Sequence, residues 1–410
     1  MKTDVHDFGA IGDGVSLDTS AINSAIEGCA AAGGGQVTLS PGSYLSGTVK
    51  MKSGVTLYVA AGARLIGTPD LDQYSGPPRN GKHSRWHRGL ITLDDVHDVC
   101  ICGPGVIDGN KVFDPQGEEK MRGPHTILSA NSSRIRIADL NIVDAANYAM
   151  MMTVCDDVDV NNVTVNGGWD GFHIRGVKGR HSQRATVTNS RFFTGDDCIA
   201  GCYTDDLLVN NCVLNTSCNG IRWIGPGRRL HFHNLTIFGK GRHPHRTSGR
   251  TTMLAGITVQ PGAWGAMPGP LDDVRIDNVS THNVSCPLWL VVKNEGTMGR
   301  VDISRVTASG TLVAAMAIES WVDAPIGEVS LRDCDFAYAH PPVLDVESID
   351  TGMPSFDVRP PPAWGLYARN VAKLTLDNVR LAGPADDVRP AIFEEMVQVL
   401  RKRDVKLPMD

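Results

Sequence analysis

Ile135-Arg136-Ile137-Ala138-Asp139-Leu140-Asn141-Ile142 is the stretch on which the fold turns. It reads apolar, any, apolar, any, Asn or Asp, apolar, any, apolar. The same rule returns at Val158-Asp159-Val160-Asn161-Asn162-Val163-Thr164-Val165 and at Leu230-His231-Phe232-His233-Asn234-Leu235-Thr236-Ile237. It is met again at Leu374-Thr375-Leu376-Asp377-Asn378-Val379-Arg380-Leu381. Nine copies begin at 135, 158, 185, 207, 230, 274, 301, 329 and 374, most of them 22 to 28 residues apart and two at about double that step. A fixed period of this size marks a solenoid, whose units bury their apolar faces only against their neighbours.

The period inside each copy selects the kind of solenoid. Apolar and polar residues alternate as they do along a strand, and Val, Ile and Leu dominate the inward positions. Asn or Asp holds the fifth position in eight of the nine copies. These residues suit a sharp bend, because they tolerate left-handed backbone and bond locally. Short strands joined by bends, with no helical stretch between them, leave parallel stacking as the natural pairing. The expected fold is therefore all-β, a right-handed parallel β-helix; an antiparallel sandwich with regular turns is the alternative.

Length alone would suggest two or three domains for 410 residues. A solenoid grows along one axis, and no linker or shift of composition interrupts the chain, so residues 1–410 are read as a single domain. A capped helix starting at Asp18-Thr19-Ser20 and ending at Gly33-Gly34-Gly35 is expected to plug one mouth, within an N-terminal cap of about residues 1–40. Residues 389–403, with Ile392, Phe393, Met396, Val397 and Leu400, read as an amphipathic C-terminal helix. The net charge of −6 and pI near 6.1 argue against a nucleic-acid partner. No apolar run approaches the length of a membrane span. The first residues show no signal peptide, so the protein is either cytoplasmic or secreted after removal of a leader; the ten cysteines show no zinc-site spacing, and reduced thiols in the cytoplasm are the expectation.

A second ladder accompanies the repeat. Its rungs are Trp169-Asp170-Gly171-Phe172-His173, Asp196-Asp197-Cys198-Ile199-Ala200, Cys218-Asn219-Gly220-Ile221-Arg222 and Leu254-Ala255-Gly256-Ile257-Thr258. In this register Asp170, Asp197 and Asn219 stack on consecutive coils, with Asp196 one position earlier. Parallel strands lie about 4.8 Å apart. Carboxylates one coil apart and laterally offset can then reach the roughly 6.5–9.5 Å separation of an inverting glycosidase. Six Asp-Asp pairs occur, and four of them (94–95, 156–157, 205–206 and 272–273) read as solvated turn residues ahead of a strand. The pair 196–197 differs, being flanked by Gly195 and Cys198 with Asp170 one coil before it.

Four segments carry a resemblance. Asp7-Phe8-Gly9-Ala10 with Gly12-Asp13-Gly14, Gly105-Val106-Ile107-Asp108-Gly109, Asp170-Gly171, and Gly195-Asp196-Asp197-Cys198-Ile199-Ala200 resemble glycoside hydrolase family 28, the polygalacturonase family of right-handed β-helices. The resemblance runs in matching order from about residue 5 to about 310. It implies an inverting hydrolase of a carbohydrate substrate, with no metal or cofactor. Asp196 would be the general acid, while Asp170 and Asp197 would share the general-base role and hold the water.

The departures from the family pattern also inform. Where the family has Gly-His-Gly, this chain has Cys218-Asn219-Gly220; where it has Arg-Ile-Lys, this chain has Thr258-Val259-Gln260. Losing two cations that grip a uronate carboxylate would cost several kcal/mol, so plain polygalacturonan is not the expected substrate. Either the sugar is neutral and Thr258 and Gln260 bond its hydroxyls, or a cation comes from Arg222 or Lys293. Asn219 and His173 complete the polar set expected at the sugar, and Trp169, Trp223 and Trp264 are the candidate aromatic platforms. The basic loop Lys240–Arg250, including His243-Pro244-His245, reads as solvated rather than as a metal site. The insert Gly76–Gly89 could close one end of the groove and make the enzyme exo-acting. The rivals are a lyase or epimerase holding Ca²⁺ with these aspartates, a sugar-anhydride-forming transglycosylase, and a non-catalytic carbohydrate-binding β-helix.

Overall fold

A computed structural model describes residues 2–78, 86–349, 351–355 and 357–407. The chain divides into two compact units, Met1–Val177 with Ser182–Asp196 and Lys178–His181 with Asp197–Asp410. Each is built of stacked coils of parallel strands, the right-handed parallel β-helix that the repeat calls for. In the first unit Ile135 pairs with Val158 and Val158 with Ala185, so three repeat copies lie in register. In the second, Leu207, Leu230, Val274, Val301, Val329 and Leu374 form one continuous ladder. These ladders are fully buried or nearly so. Burying one such side chain is worth about 1.5–3 kcal/mol, so the repeat's inward positions supply most of each coil's stability.

The bends are where the sequence rule has its cause. Asp139, Asn162, Asn189, Asn211, Asn234, Asn278, Asp333 and Asn378 all have φ between 51° and 60°, the left-handed region. Arg305, the exception in the seventh copy, is there too at 49°. The amides also bond from coil to coil: Asn162 donates to Asp139 at 2.8 Å, Asn234 to Asn210 at 3.0 Å and Asn378 to Asp333 at 2.7 Å. Asp95, Asp157, Asp206 and Asp273, the second members of the four turn pairs, are left-handed as well. Asp157 and Asp206 are held by Arg184 and Arg229 on the exposed surface.

Helix α1 (Thr19–Ala31) forms where expected and buries Ile22, Ala25, Ile26 and Cys29 against the first coil. Asp18 does not cap it. Its carboxylate instead accepts from the backbone N–H groups of Ile11 and Gly12, at 2.7 and 3.1 Å, and ties down the Gly-rich entry loop. Gly34, at φ +96°, sits where a Cβ would come within 2.6 Å of the Gly54 carbonyl, so this close approach needs glycine.

The C-terminal helix is not found. Ile392–Lys406 is a strand, paired in parallel with Leu366–Ala382, Leu400 opposite Leu374. Leu400 through Leu407 is in effect a tenth copy, with Asp404 left-handed at φ 52° in the fifth place. Lys402 stands where the third-position apolar residue should be, and among the described residues no further coil stacks on this one. Phe393, Met396 and Val399 accordingly stay exposed. That loosened alternation produced the helical look. The insert Gly76–Gly89 lies in part outside the described residues.

Candidate active site

In the first unit the chain leaves the strand Thr164–Asn166 through Gly167 and Gly168, both at positive φ. A Cβ on Gly168 would lie 2.7 Å from that of Ala145, so the turn packs tightly and delivers Trp169 and Asp170 at a fixed angle. His173 follows on the strand Phe172–Arg175. Its Nδ1 lies 2.7 Å from Asp170 Oδ2, and its Nε2 lies 2.8 Å from Nη2 of Arg175. Arginine only donates, so His173 Nε2 accepts and the Nδ1–H donates to Asp170. Burial first, then the neighbouring cations Arg175 and Arg122, push the His173 pKa well below its ordinary value. Asp170 therefore has a neutral, buried donor holding one oxygen.

Asp196 completes the acids of this unit. Its carboxylate oxygen and that of Asp170 lie within 4.8 Å of each other, and its side chain keeps 13% of its exposure. This is tighter than the roughly 6.5–9.5 Å expected of an inverting pair, so the separation does not itself give the stereochemistry. Beside Asp196 stands a residue that the repeat did not mark, Arg122. Its Nη2 is 2.7 Å from Glu119 and 3.5 Å from Asp196. Its guanidinium lies 3.8 Å over the Trp169 ring and 5.3 Å from that of Tyr148. Tyr148 in turn stacks on His173 at 5.0 Å, the rings parallel within 1°. Burial alone would disfavour the Arg122 charge, but Tyr148, Asp196, Asp170 and Glu118 more than offset it and raise the pKa. Tyr148 moves upward too, through burial and then Asp170.

Asp197, next in the chain, belongs to the second unit. One of its oxygens accepts from the Asn219 amide at 2.8 Å and from its backbone N–H at 3.2 Å. The other lies 3.7 Å from Arg222 Nη1. Asn219 thus serves the acid rather than being free to meet the sugar. The Arg222 guanidinium is 5.0 Å from the ring of Trp264, which is 52% exposed. Of the three tryptophans expected as platforms, this one has a face to offer. Trp169 and Trp223 are 1% and 0% exposed; Arg122 already covers the former, and the latter is part of the core. Thr258 is buried with its hydroxyl on the Trp289 carbonyl at 3.2 Å, and Gln260 is buried as well. Lys293 donates to the Ser355 carbonyl at 2.7 Å. In the loop 240–250, Arg250 donates to the Ser217 carbonyl at 3.0 Å, which ties the loop down.

A sequence profile described as glycosyl hydrolases family 28 matches residues 29–220, a span that includes Asp170, Asp196, Asp197 and Asn219. The chain is a glycoside hydrolase, similar to family 28 over that span. An exopolygalacturonase of Zea mays is 21% identical to it over 82% of this chain and 83% of the relative. A polygalacturonase of Malus domestica is 23% identical over 69% of this chain, and the match spans 60% of that relative. The solved structure of a hyperthermoactive exopolygalacturonase from Thermotoga maritima superposes with a TM-score of 0.71 at 16% identity, covering 93% of this chain and 92% of the other. That likeness establishes the fold.

The site has parts that the period could not display. Arg122, Glu119 and Tyr148 sit on connections between repeats, where no alternation marks them. The one signal was an arginine closing the charged run Glu118-Glu119-Lys120-Met121-Arg122 in an otherwise Gly/Pro-rich connection.

Proposed function

We propose that this glycoside hydrolase cleaves a uronate-bearing oligosaccharide from its chain end, with inversion. Asp196 delivers the proton to the leaving oxygen, and Asp170 orients the attacking water. By the family resemblance Asp197 shares that second role. The observation that carries the reading is the pairing of Asp170 with Asp196 in unlike surroundings. Asp170 is sealed and hydrogen-bonded by neutral His173, a setting that keeps it an acceptor. Asp196 retains access to solvent, where a leaving group could meet it. Two carboxylates with separate environments are what an acid and a base require.

Arg222 supports the uronate. It stands beside Asp197 with the exposed Trp264 ring against it, and so offers a guanidinium and an aromatic face together. With Thr258 engaged and Gln260 buried, hydroxyl recognition by those two has less support. Action from the chain end accords with the exopolygalacturonase of Zea mays to which the chain is similar.

The test is hydrolysis of oligogalacturonate, rhamnogalacturonan and neutral oligosaccharides, with the product anomer followed by NMR. Inverted product from a uronate substrate is expected. Asp196→Asn should lower turnover roughly 10²–10⁴-fold. Retained configuration, an unsaturated product absorbing in the ultraviolet, or unchanged turnover in Asp196→Asn would each end the assignment.

A further inference from the structure

The sheet face that carries Arg222 in the second unit does not stay open. Register places Arg222 beside Thr258, Thr258 beside Trp289, Trp289 beside Ala317 and Ala317 beside Tyr367. Two residues further along each strand, Val291 stands beside Glu319 and Glu319 beside Arg369. Alternation puts all of these on the side of Arg222, opposite the core-facing Trp223, Val259, Leu290, Ile318 and Ala368. Outward residues of a β-helix normally meet water, yet Trp289, Val291, Ala317, Glu319 and Tyr367 are 0% exposed.

What lies on them is the connection between the strands Ile326–Tyr338 and Leu366–Ala382. Its described residues hold a single 3-10 turn, Val346–Ser348, and connections longer than about 12–15 residues without regular structure are usually functional. Val358 packs against the cluster of Cys286, Trp289, Val291, Ala314 and Ala317. Arg359 Nη2 lies 2.8 Å from Glu319 Oε2, which also accepts from Trp321 Nε1 at 2.7 Å. Lys293 adds the bond to the Ser355 carbonyl. A carboxylate on a coil face, wholly removed from water, is costly unless paired, and the cation that pairs it comes from this connection. Glu319 Oε1 has no hydrogen-bond partner among the described residues, and burial raises the Glu319 pKa to about 7 against the pull of Arg359.

We infer that the described residues of this connection, above all Ser355 and residues 357–359, form a fixed strap which ends the binding face two coils beyond Arg222, pinned by Val358 and by the Arg359–Glu319 pair. Thr258, one coil past Arg222, is already buried, and Trp289, two coils or roughly 10 Å past it, lies under Val358, so little of the face remains on that side. A long polymer could not lie through such a wall, so only a chain end is accepted on that side. The inference rests on the chain-end reading above and gives it a cause in Val358 and Arg359.

The experiment compares the wild type with Arg359→Ala and, separately, Val358→Asp on polygalacturonate. Viscosity loss per reducing end released reports mid-chain cutting, product length is read by chromatography, and limited proteolysis reports release of the strap. The wild type should give short products with little viscosity loss. In a variant whose strap has become protease-sensitive, viscosity loss per reducing end should rise at least fivefold and longer products should appear. Arg359→Lys, which keeps the charge, is expected to stay near the wild type should Arg359→Ala fold poorly. Short products alone from a folded variant with a loosened strap overturn the strap and leave chain-end hydrolysis standing. Mid-chain products from the wild type overturn both.

Discussion

Arg122→Gln is the substitution that most directly tests the arrangement around Asp196. Two unit charges 3.5 Å apart attract by about 5 kcal/mol at an effective dielectric of about 20. Residual solvent at Asp196 screens this to about half. The guanidinium over Trp169 adds about 1–2 kcal/mol, since it is desolvated there. The sum, about 3–5 kcal/mol, agrees with the usual cost of removing one partner from a buried ionic cluster. For a chain of 410 residues melting in one step, this lowers the melting temperature by about 4–6 °C. Catalysis should suffer more than binding. Asp196 would lose its lateral restraint, and a misplacement of about 1 Å at the reacting group is worth about a hundredfold in turnover. We expect kcat to fall about a hundredfold with KM changed less than threefold. Arg122→Lys should recover only part of this, because it keeps the charge but loses the planar stacking and the fork. Calorimetry and steady-state kinetics on one uronate oligosaccharide decide the matter. A melting temperature within 1 °C of the wild type, with more than half the turnover retained, would refute the reasoning.

Three further outcomes follow from other parts of the molecule. Arg222→Gln should raise KM for a uronate substrate at least tenfold and leave KM for a neutral one unchanged; equal effects on both would remove Arg222 from carboxylate recognition. His125 is fully buried, and burial, then His87 and the cations Arg122 and Arg175, lower its pKa to about 3. Its ordinary value is about 6.5, so between these limits the unfolded chain binds the extra proton and stability is lost as pH falls; from pH 6.5 to 5 the loss is about 2 kcal/mol. Denaturant titration of His125→Gln beside the wild type checks this, because the variant should lack that part of the slope. Asn234→Ala should cost about 2–3 kcal/mol, combining left-handed strain with loss of the amide bonds to Asn210 and Asn278. A loss below about 0.5 kcal/mol, typical of a surface change, would show that the asparagine ladder holds nothing.

The fold could be read from the chain because one geometric requirement recurs at every coil. A left-handed bend after two inward residues selects Asn or Asp, and alternation on either side selects Val, Ile and Leu. Where stacking ceases, so does the selection. Val399 and Lys402 on the last coil no longer follow the rule, and Ile392–Lys406 looked helical for that reason. The placement of Asp170, Asp196 and Asp197 was legible on the same grounds, since they sit beside repeat strands. Trp169 and Trp223 were misplaced because an aromatic beside an acid has no sequence mark that separates a platform from core packing.

What the period hides is also what distinguishes this site. Arg122 arrives on the connection before the strand His125–Ala130, Trp264 on the one after Ala255–Val259, and Arg359 on the one before Leu366–Ala382. Each is placed by contacts at its tip: Glu119 for Arg122, Arg222 for Trp264 and Glu319 for Arg359. A connection need not repeat, so its residues can change without disturbing the stacked core, and the coils fix only where the reaction happens. The chain has neither the histidine nor the Arg-Lys pair of family 28 at 219, 258 and 260, yet keeps cations beside its acids. Those cations are Arg122, carried on a connection, and Arg222, aimed by the ring of Trp264 on another. Arg122 is thus supplied from between the rungs, whereas Arg222 stays on a rung and takes only its neighbour Trp264 from a connection.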